Sequence, residues 1–442
     1  MPNTQSAQLV VLGAGPGGYA AAFLAADLGM EVVLVDLDPN PGGVCLYRGC
    51  IPSKALLHVA RLITESREAA RWGVHFGAPR IDLPRLRAWK DEVVGKLTGG
   101  LGELARRRKI SYVQGRGHFE GPSLLAVGGA DGSRIAFRHA ILATGSRAAM
   151  LPGIAAGSRI VNSSGALKLE EVPESLLVVG GGYIGLELGS VYAALGSRVT
   201  VVELTGGLLP GADPDLVRPL ARRLEGTFAA IHLDTKVLAM KESEGGVRVT
   251  LEGAGVKERE QTFTRVLVSV GRLPNTADLG LESTGVQVGP QGFVQVDRQL
   301  RTAEPSIFAI GDVVGQPMLA HKASHEGRTA LQAIAGRSVE FAPAAIPAVV
   351  FTDPEIAWAG LTETEAKAAG RKVEVARFPW AASGRATTLD RSDGVSKILV
   401  DPETERILGV GLCGPGAGEL IAEGVLAIEM GCSARDLMEA IH

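Results

Sequence analysis

Two cysteines, Cys45 and Cys50, stand five positions apart in GGVCLYRGCIPSK, the stretch from Gly42 to Lys54, in a chain that has only four. Thiols so placed can carry electrons as a dithiol–disulfide couple, share a metal ion, or lie buried and inert. Gly49 and Pro52 let the chain leave regular helix geometry, which this separation needs if the Cα atoms are to approach within about 7 Å. Lys54 adds positive charge, and a helix N-terminus nearby would act in the same sense, both favouring a thiolate. A zinc site would want two more Cys or His ligands, and His58 is the only neighbour that offers one, so no metal is expected. Inert burial suits an apolar pocket better than this charged, glycine-rich setting. Cys413, after an apolar strand pattern, and Cys432, after a glycine, have no such company and read as structural.

An electron couple needs a carrier, and the chain holds two candidate carrier sites. LVVLGAGPGGYAAAFLAADLGMEVVLVD (Leu9 to Asp36) and LLVVGGGYIGLELGSVYAALGSRVTVVE (Leu176 to Glu203) repeat one pattern. Each is an apolar run, a glycine-rich turn, a helix-length segment ending in Leu-Gly, and a second apolar run ending in an acid. The same offset separates Gly13 from Gly180 and Asp36 from Glu203. One G-x-G-x-x-G is a weak signal in a glycine-rich chain, whereas two copies with matching context and matching acids are a strong one. Gly13 and Gly180 permit the tight turn, Gly15 and Gly182 let backbone approach a pyrophosphate, and Gly18 and Gly185 let helix pack on strand. The helix N-terminus offers free N–H groups to phosphate, and the acid accepts hydrogen bonds from a ribose. Two dinucleotide sites imply electron transfer between two carriers, such as a flavin and a nicotinamide. A 2′-phosphate would need cations just after the second strand of its unit. Glu203 would repel it and Leu204, Thr205 and Gly206 supply none, so NAD is expected rather than NADP.

Other segments must frame these sites. HAILATGSR (His139 to Arg147) and RVLVSVGRLPN (Arg265 to Asn275) are apolar strands ending in glycine, one late in each unit, and RTAEPSIFAIGDVVG (Arg301 to Gly315) ends in Gly311-Asp312. An acid just past a strand end is well placed for a ligand at the carboxyl edge of a parallel sheet. After Gly336 the texture changes to alternating strands, from Ile346 to Leu361, Lys397 to Asp401 and Arg406 to Gly414, followed by helical patterns from Ala417 and Ser433. This reads as an α+β region without a phosphate loop. The formal charge of −3 argues against a nucleic-acid footprint. No apolar stretch is long enough to span a bilayer, AAAFLAA stopping at Asp27. Few cysteines and no leader-like segment suggest a reducing cytoplasm.

GGVCLYRGCIPSK resembles the active-site signature of the flavin disulfide reductases. The likeness runs from Leu9 to His442, through GAGPGG, the cysteine motif, ATG, GGGYIGLE, GRLPNT, AIGD, MLAHKA and GAGELIAEG. It is to the branch that oxidises dihydrolipoamide with NAD+ as the shared flavoprotein of 2-oxo acid dehydrogenase complexes and glycine cleavage. The resemblance implies an α/β fold with two doubly wound Rossmann-like dinucleotide-binding domains plus a C-terminal α+β dimerisation domain. FAD-binding parts would occupy 1–148 and 274–342, the NAD-binding domain 149–273 and the dimerisation domain 343–442. A homodimer is implied, with the lipoyl domains of those complexes as partners.

On the same resemblance, FAD would be held by Gly13, Gly15, Gly18 and Asp36 at its ADP half and by Gly43, Val44 and Lys54 beside the cysteine pair. The backbone around Gly117, Thr144 and Gly145 would line the same site, with Asp312 at the ribityl chain and Met318, Leu319, Ala320 and His321 near the ring. NAD would be held by Gly180, Gly182, Gly185 and Glu203, with Val237 and Gly271 lining its cleft. Cys45 would be the interchange thiol facing the substrate and Cys50 the thiol facing the flavin, with Lys54 paired to Glu187. The family draws its base from a C-terminal His-x-His-Pro…Glu segment; His442 matches the first His, and the base and its Glu would fall beyond it. Tyr47 stands where the family usually carries Asn. A related disulfide reductase of the glutathione type would want arginines where Leu204 and Thr205 stand, and a mercuric reductase a second, C-terminal cysteine pair. A nucleotide-binding subunit that docks in a multienzyme complex without turning over would have no use for Cys45, Cys50 and Lys54.

Overall fold

The computed structural model describes residues 4–128 and 132–441; His442 lies outside them. The chain divides into two compact units, the first built from residues 4–52, 84–148 and 272–342 and the second from 53–83, 149–271 and 343–441.

In the first unit the apolar run Leu9 to Leu12 lies in a strand, Thr4–Leu12, at the middle of a seven-stranded sheet. It pairs in parallel with Val32–Asp36 on one side and Ser133–Leu142 on the other. Ile307–Ala309 joins Ser133–Leu142 in parallel, while Arg116–Gly121 and Leu124–Gly128 extend the sheet as an antiparallel hairpin. Both faces are covered, so the strand reads as a continuous apolar run rather than an alternation. Leu9 and Val11 enter one core layer with Leu34, Ile141 and Phe308, and Val10 and Leu12 enter the other with Val33, Val35 and Leu142. Helices Pro16–Asp27 and Ala320–Ile334 pack on the Leu9 face. They meet backbone to backbone, because a Cβ on Gly17 would fall 3.0 Å from the Ala323 oxygen and one on Gly327 would fall 2.8 Å from the Gly17 oxygen.

The second unit carries a five-stranded parallel sheet in the order Ala230–His232, Arg198–Val202, Ser175–Val179, Arg265–Val268, Ile160–Asn162. A three-stranded antiparallel sheet, Lys236–Ser243, Gly246–Glu252 and Glu260–Phe263, adds Val247, Val249 and Leu251 to the same core as Leu177, Val179 and Val202. No sequence pattern announces that sheet. The same unit holds the C-terminal five-stranded antiparallel sheet, ordered Ala348–Val350, Glu355–Gly360, Ile407–Gly414, Val395–Val400, Glu374–Pro379. Helix Ala417–Glu429 lies on this sheet at Gly424, where a Cβ would sit 2.9 Å from Val410.

Inside the second unit a buried ion cluster ties these parts together. The Lys397 ammonium, its side chain 1% exposed, lies 2.7 Å from Asp213, 2.8 Å from Asp215 and 3.1 Å from Glu363. Asp213 also accepts the backbone N–H groups of Glu363 and Thr364 at 2.9 Å each. Burial alone would raise the Asp213 pKa, but the Lys397 ammonium, the Thr364 hydroxyl and these amides outweigh it and hold the group at about 2.

Candidate active site

The first glycine turn sits between strand Thr4–Leu12 and helix Pro16–Asp27. Gly13 has φ +103°, and a Cβ there would run into the Ala143 carbonyl; a Cβ on Gly18 would strike the Gly13 oxygen. These two glycines serve the protein's own packing. Gly15 is different. Its φ of −69° suits any residue, and no protein atom lies within 4 Å of where its Cβ would be. It is the N-cap of a twelve-residue helix that has neither a side-chain cap nor an acid in its first turn. Asp36, at the end of the next strand, turns one oxygen back to the Ala14 N–H (2.5 Å) and the other to the Asp38 N–H (2.9 Å). Burial raises its pKa against these hydrogen bonds.

The second turn repeats this arrangement. Gly180 has φ +106° and packs on the Ser269 carbonyl, and Gly185 packs on the Gly180 oxygen. Gly182, with φ −77°, caps helix Tyr183–Leu195 without a side-chain cap or a first-turn acid, again with open space at its Cβ position. Glu203 turns one oxygen to the Gly181 N–H (2.7 Å) and the other to the Thr205 N–H (2.9 Å) and hydroxyl (2.8 Å). Gly271, with φ +122°, follows Arg265–Val268, and Val237 lies in strand Lys236–Ser243, packed against the sheet's core. A helix N-terminus stripped of side-chain caps and faced by a Cβ-free residue binds phosphate well. Both turns therefore fit a dinucleotide, and each acid retains acceptor capacity for a ribose.

The cysteine segment lies against the first turn. Gly42 donates its N–H to the Ala14 oxygen (2.8 Å), and Gly43, at φ +57°, sits so close to Gly15 that a Cβ would fall 2.6 Å from the Gly15 Cα. Val44 and Cys45 follow in the short helix Gly43–Arg48. Gly49, at φ −146° and ψ −111°, breaks that helix, and Cys50 opens the next, Cys50–Glu68. The Cys45 side chain is half-buried and Cys50 exposed. The Tyr19 phenol has its pKa raised, chiefly by burial and then by the charges of Cys45 and Cys50. Two contacts brace the segment: Tyr47 donates to the Asn40 oxygen at 3.2 Å, and Arg48 pairs with both Asp38 oxygens at 2.9 and 2.6 Å.

At the carboxyl end of strand Ser133–Leu142, beside the first glycine turn, come Thr144 and Gly145, Gly145 with φ +69°. The Thr144 hydroxyl donates to the Asn275 oxygen (2.6 Å), and the Asn275 amide returns a bond to the Thr144 oxygen (3.0 Å). Gly117 packs on Leu12. Asp312 lies in the turn Gly311–Val314, where it accepts from the Ser146 hydroxyl, and Arg272 donates to that hydroxyl at 2.7 Å. Behind the turn, the Glu326 carboxylate takes the Gly311 N–H (2.7 Å) and pairs with Lys322 at 2.7 Å, both side chains almost fully buried. Met318 and Leu319 lead into the helix that Ala320 and His321 begin.

In the second unit Lys54 and Glu187 meet. The Lys54 ammonium donates to both Glu187 oxygens, at 3.1 and 2.9 Å, and Glu187 is only 3% exposed. Sequence reasoning passed over Ser146, Arg272, Lys322, Glu326 and Phe351. GRLPNT carried the clue for Arg272 and MLAHKA the clue for Lys322; nothing in the sequence marked Phe351.

Residues 7–327 match the pyridine nucleotide-disulphide oxidoreductase family, and residues 346–442 match its dimerisation domain. The chain belongs to the pyridine nucleotide-disulphide oxidoreductases. Proteins of this family use FAD and NAD, to which the two turns correspond in number and build. Dihydrolipoyl dehydrogenase of Vibrio parahaemolyticus is 50% identical over 100% of this chain and 93% of its own length. That of Thermus scotoductus is 44% identical over 98% of this chain and 93% of its own. Among solved structures, LpdA from Mycobacterium tuberculosis superposes with a TM-score of 0.91 at 28% identity, covering 99% of this chain and 96% of that one. The flavoprotein disulfide reductase RclA from Escherichia coli gives 0.86 at 28%, covering 98% and 96%. This oxidoreductase thus has the expected α/β architecture with a dimerisation domain at its C-terminal end. Among its described residues no helix is long and apolar enough to cross a membrane.

Proposed function

We propose that this chain oxidises protein-bound dihydrolipoyl groups to the cyclic disulfide and reduces NAD+, with Cys45 and Cys50 as its exchanging pair. The observation that carries this reading is the cysteine segment folded onto the open glycine turn, Gly43 against Gly15, in a chain with a second turn of the same build. The 50% identity to a protein named dihydrolipoyl dehydrogenase supports the substrate class. One thiol of the substrate attacks Cys45 Sγ, the Cys45–Cys50 bond breaks, and Cys50 leaves as the thiolate. The second substrate thiol then attacks the mixed disulfide, releasing the oxidised lipoyl group and the Cys45 thiolate, with both substrate protons going to water or a base. Cys50 opens a nineteen-residue helix, whose positive end favours its negative charge.

Bound FAD would take the electron pair from the reduced cysteines and deliver it as hydride to NAD+. Gly13, Gly15, Gly18, Asp36, Gly43, Val44, Gly117, Thr144 and Gly145 would hold it, with Asp312 and the segment Met318 to His321 toward its ring end. Asp312 is held in place by Ser146, Arg272 and the buried Lys322–Glu326 pair. Gly180, Gly182, Gly185, Glu203, Val237 and Gly271 would hold NAD. Lys54, oriented by Glu187, would supply a positive charge beside the bound flavin. Residues 1–148 and 274–342 act as the FAD-binding parts, 149–273 as the NAD-binding domain, and 343–442 as the homodimer contact. The partners are lipoyl domains of a 2-oxo acid dehydrogenase or glycine cleavage complex, in the cytoplasm.

The test is dihydrolipoamide-dependent NADH formation, with NADH-to-dye reduction measured on the same sample. Cys45→Ser and Cys50→Ser are expected to abolish the first and spare the second. NADH formation that survives both substitutions would overturn the reading.

A further inference from the structure

Lys54 has a second neighbour besides Glu187. Its ammonium stands 4.6 Å from the centre of the Phe351 ring, over the face. The backbone N–H of Phe351 donates to Glu187 at 3.0 Å, on the same oxygen that accepts from Lys54 at 3.1 Å. One residue therefore grips both halves of the pair, the cation through its ring and the carboxylate through its amide. The ring, 37% exposed, has one edge near the first turn of helix Ala417–Glu429, where a Cβ on Gly418 would fall 3.6 Å from it. Lys54 retains 33% of its side-chain exposure. On a flexible four-carbon stem, an ammonium so exposed swings between water and its partner unless a second contact holds it.

We infer that Phe351 is a positioning residue for Lys54, its ring face fixing the ammonium that Glu187 neutralises. The inference rests on the reading proposed above, in which that ammonium stands beside the flavin. A cation fixed there stabilises the extra negative charge of the reduced ring and raises its potential, so loosening the cation lowers it.

The measurement is the midpoint potential of bound FAD, read at its own absorbance without nicotinamide, in a chain carrying Cys45→Ser and Cys50→Ser so that the flavin titrates alone. In this background Lys54→Met sets the full effect, a clear fall. Phe351→Leu keeps the backbone N–H and removes the π face. A cation–π contact at a part-exposed site is worth about fivefold in holding the ammonium in place, which sets the fall for a two-electron couple at up to about 20 mV. Phe351→Tyr keeps the face and stays within a few millivolts of its parent. Should Phe351→Leu lose its flavin, Phe351→Met makes the same comparison with an unbranched side chain. A parental potential in the face-deleted variant, with Lys54→Met shifted, overturns the inference alone. An unmoved potential in Lys54→Met overturns the reading of Lys54 beside the flavin, and the inference with it.

Discussion

Glu203→Gln replaces one carboxylate oxygen with an NH2 group and asks whether the acid after the second glycine turn works as a carboxylate. In the native chain both oxygens are acceptors, one for Gly181 N–H at 2.7 Å and the other for Thr205 N–H at 2.9 Å and its hydroxyl at 2.8 Å. A glutamine must present its NH2 to one side or the other. Turned toward Gly181, it sets donor against donor; turned toward Thr205, the hydroxyl can rotate but the backbone N–H cannot. The first leaves the buried Gly181 amide without an acceptor and the second the part-buried amide of Thr205, an exposed residue; the cost is about 1–3 kcal/mol, less on the Thr205 side. The cheapest relief is for the Gly180 to Gly182 turn to shift, which moves the phosphate-facing helix N-terminus. Expressed as affinity, that energy weakens NADH by about 5- to 150-fold. Removing the charge also removes the repulsion of a 2′-phosphate, so the preference for NADH over NADPH narrows.

The assay is NADH-to-dye reduction with NADH and NADPH varied, beside the flavin content of the same preparation. The expected result is a raised KM for NADH, a smaller change for NADPH, and full flavin content. Asp36→Asn is the mirror experiment, since Ala14 and Asp38 stand to Asp36 as Gly181 and Thr205 stand to Glu203. It lowers flavin retention and leaves the KM for NADH alone in the fraction that keeps flavin. If Glu203→Gln loses flavin instead, or leaves NADH within twofold of the parent, the assignment of the two turns is wrong.

Further substitutions separate the roles of other residues. Gly15→Ala and Gly182→Ala each place a methyl where the protein has open space, so both fold with native circular dichroism; the first loses flavin and the second loses NADH affinity. Gly18→Ala and Gly185→Ala meet carbonyl oxygens instead and lower the yield of folded chain, which expression and gel filtration report. Lys397→Met strips the buried counter-ion from three carboxylates and costs about 3–5 kcal/mol locally, Arg377 keeping part of the pairing of Asp215 and Glu363. Hydrogen exchange at the Glu363 and Thr364 amides reads that loss as a drop in protection of 100-fold or more, on the order expected from the energy. Asp213 gives the same cluster a pH signature. With its folded pKa near 2 against an ordinary 3.8, its contribution is in full above about pH 4 and is lost as pH falls toward 2. That contribution is at most about 2.5 kcal/mol, less whatever solvent screening removes at the more open Asp215 and Glu363 edge. Asp213→Asn therefore flattens the protection of those amides between pH 5 and 2.5, and a loss confined to pH 6–8 would contradict the assignment.

What the sequence exposed and what it hid divide along range of interaction. The two dinucleotide units were legible because strand, turn, helix and acid are consecutive, so the chemistry of each turn is spelled out locally. The α+β texture after Gly336 was legible for the same reason, except for strand Glu374–Pro379, whose residues are nearly all exposed and carry no apolar period. The sheet at 236–263 escaped because strand Lys236–Ser243 buries no residue fully, and its partners fill the core through the scattered Val247, Val249, Leu251 and Phe263. At the site, Lys54 and Glu187 are far apart in sequence, and no periodicity links them; the family resemblance supplied that pair, not the spacing. Phe351 had neither source. Its part depends on a ring face and a backbone amide converging on Lys54 and Glu187, a property of packing alone. The glycines make the converse point. In sequence Gly13, Gly15 and Gly18 are one motif, yet Gly13 and Gly18 are demanded by the carbonyls they touch, while Gly15 is demanded by nothing in the protein. A glycine that its own fold does not require, standing at an uncapped helix end, is the residue whose identity only a ligand explains.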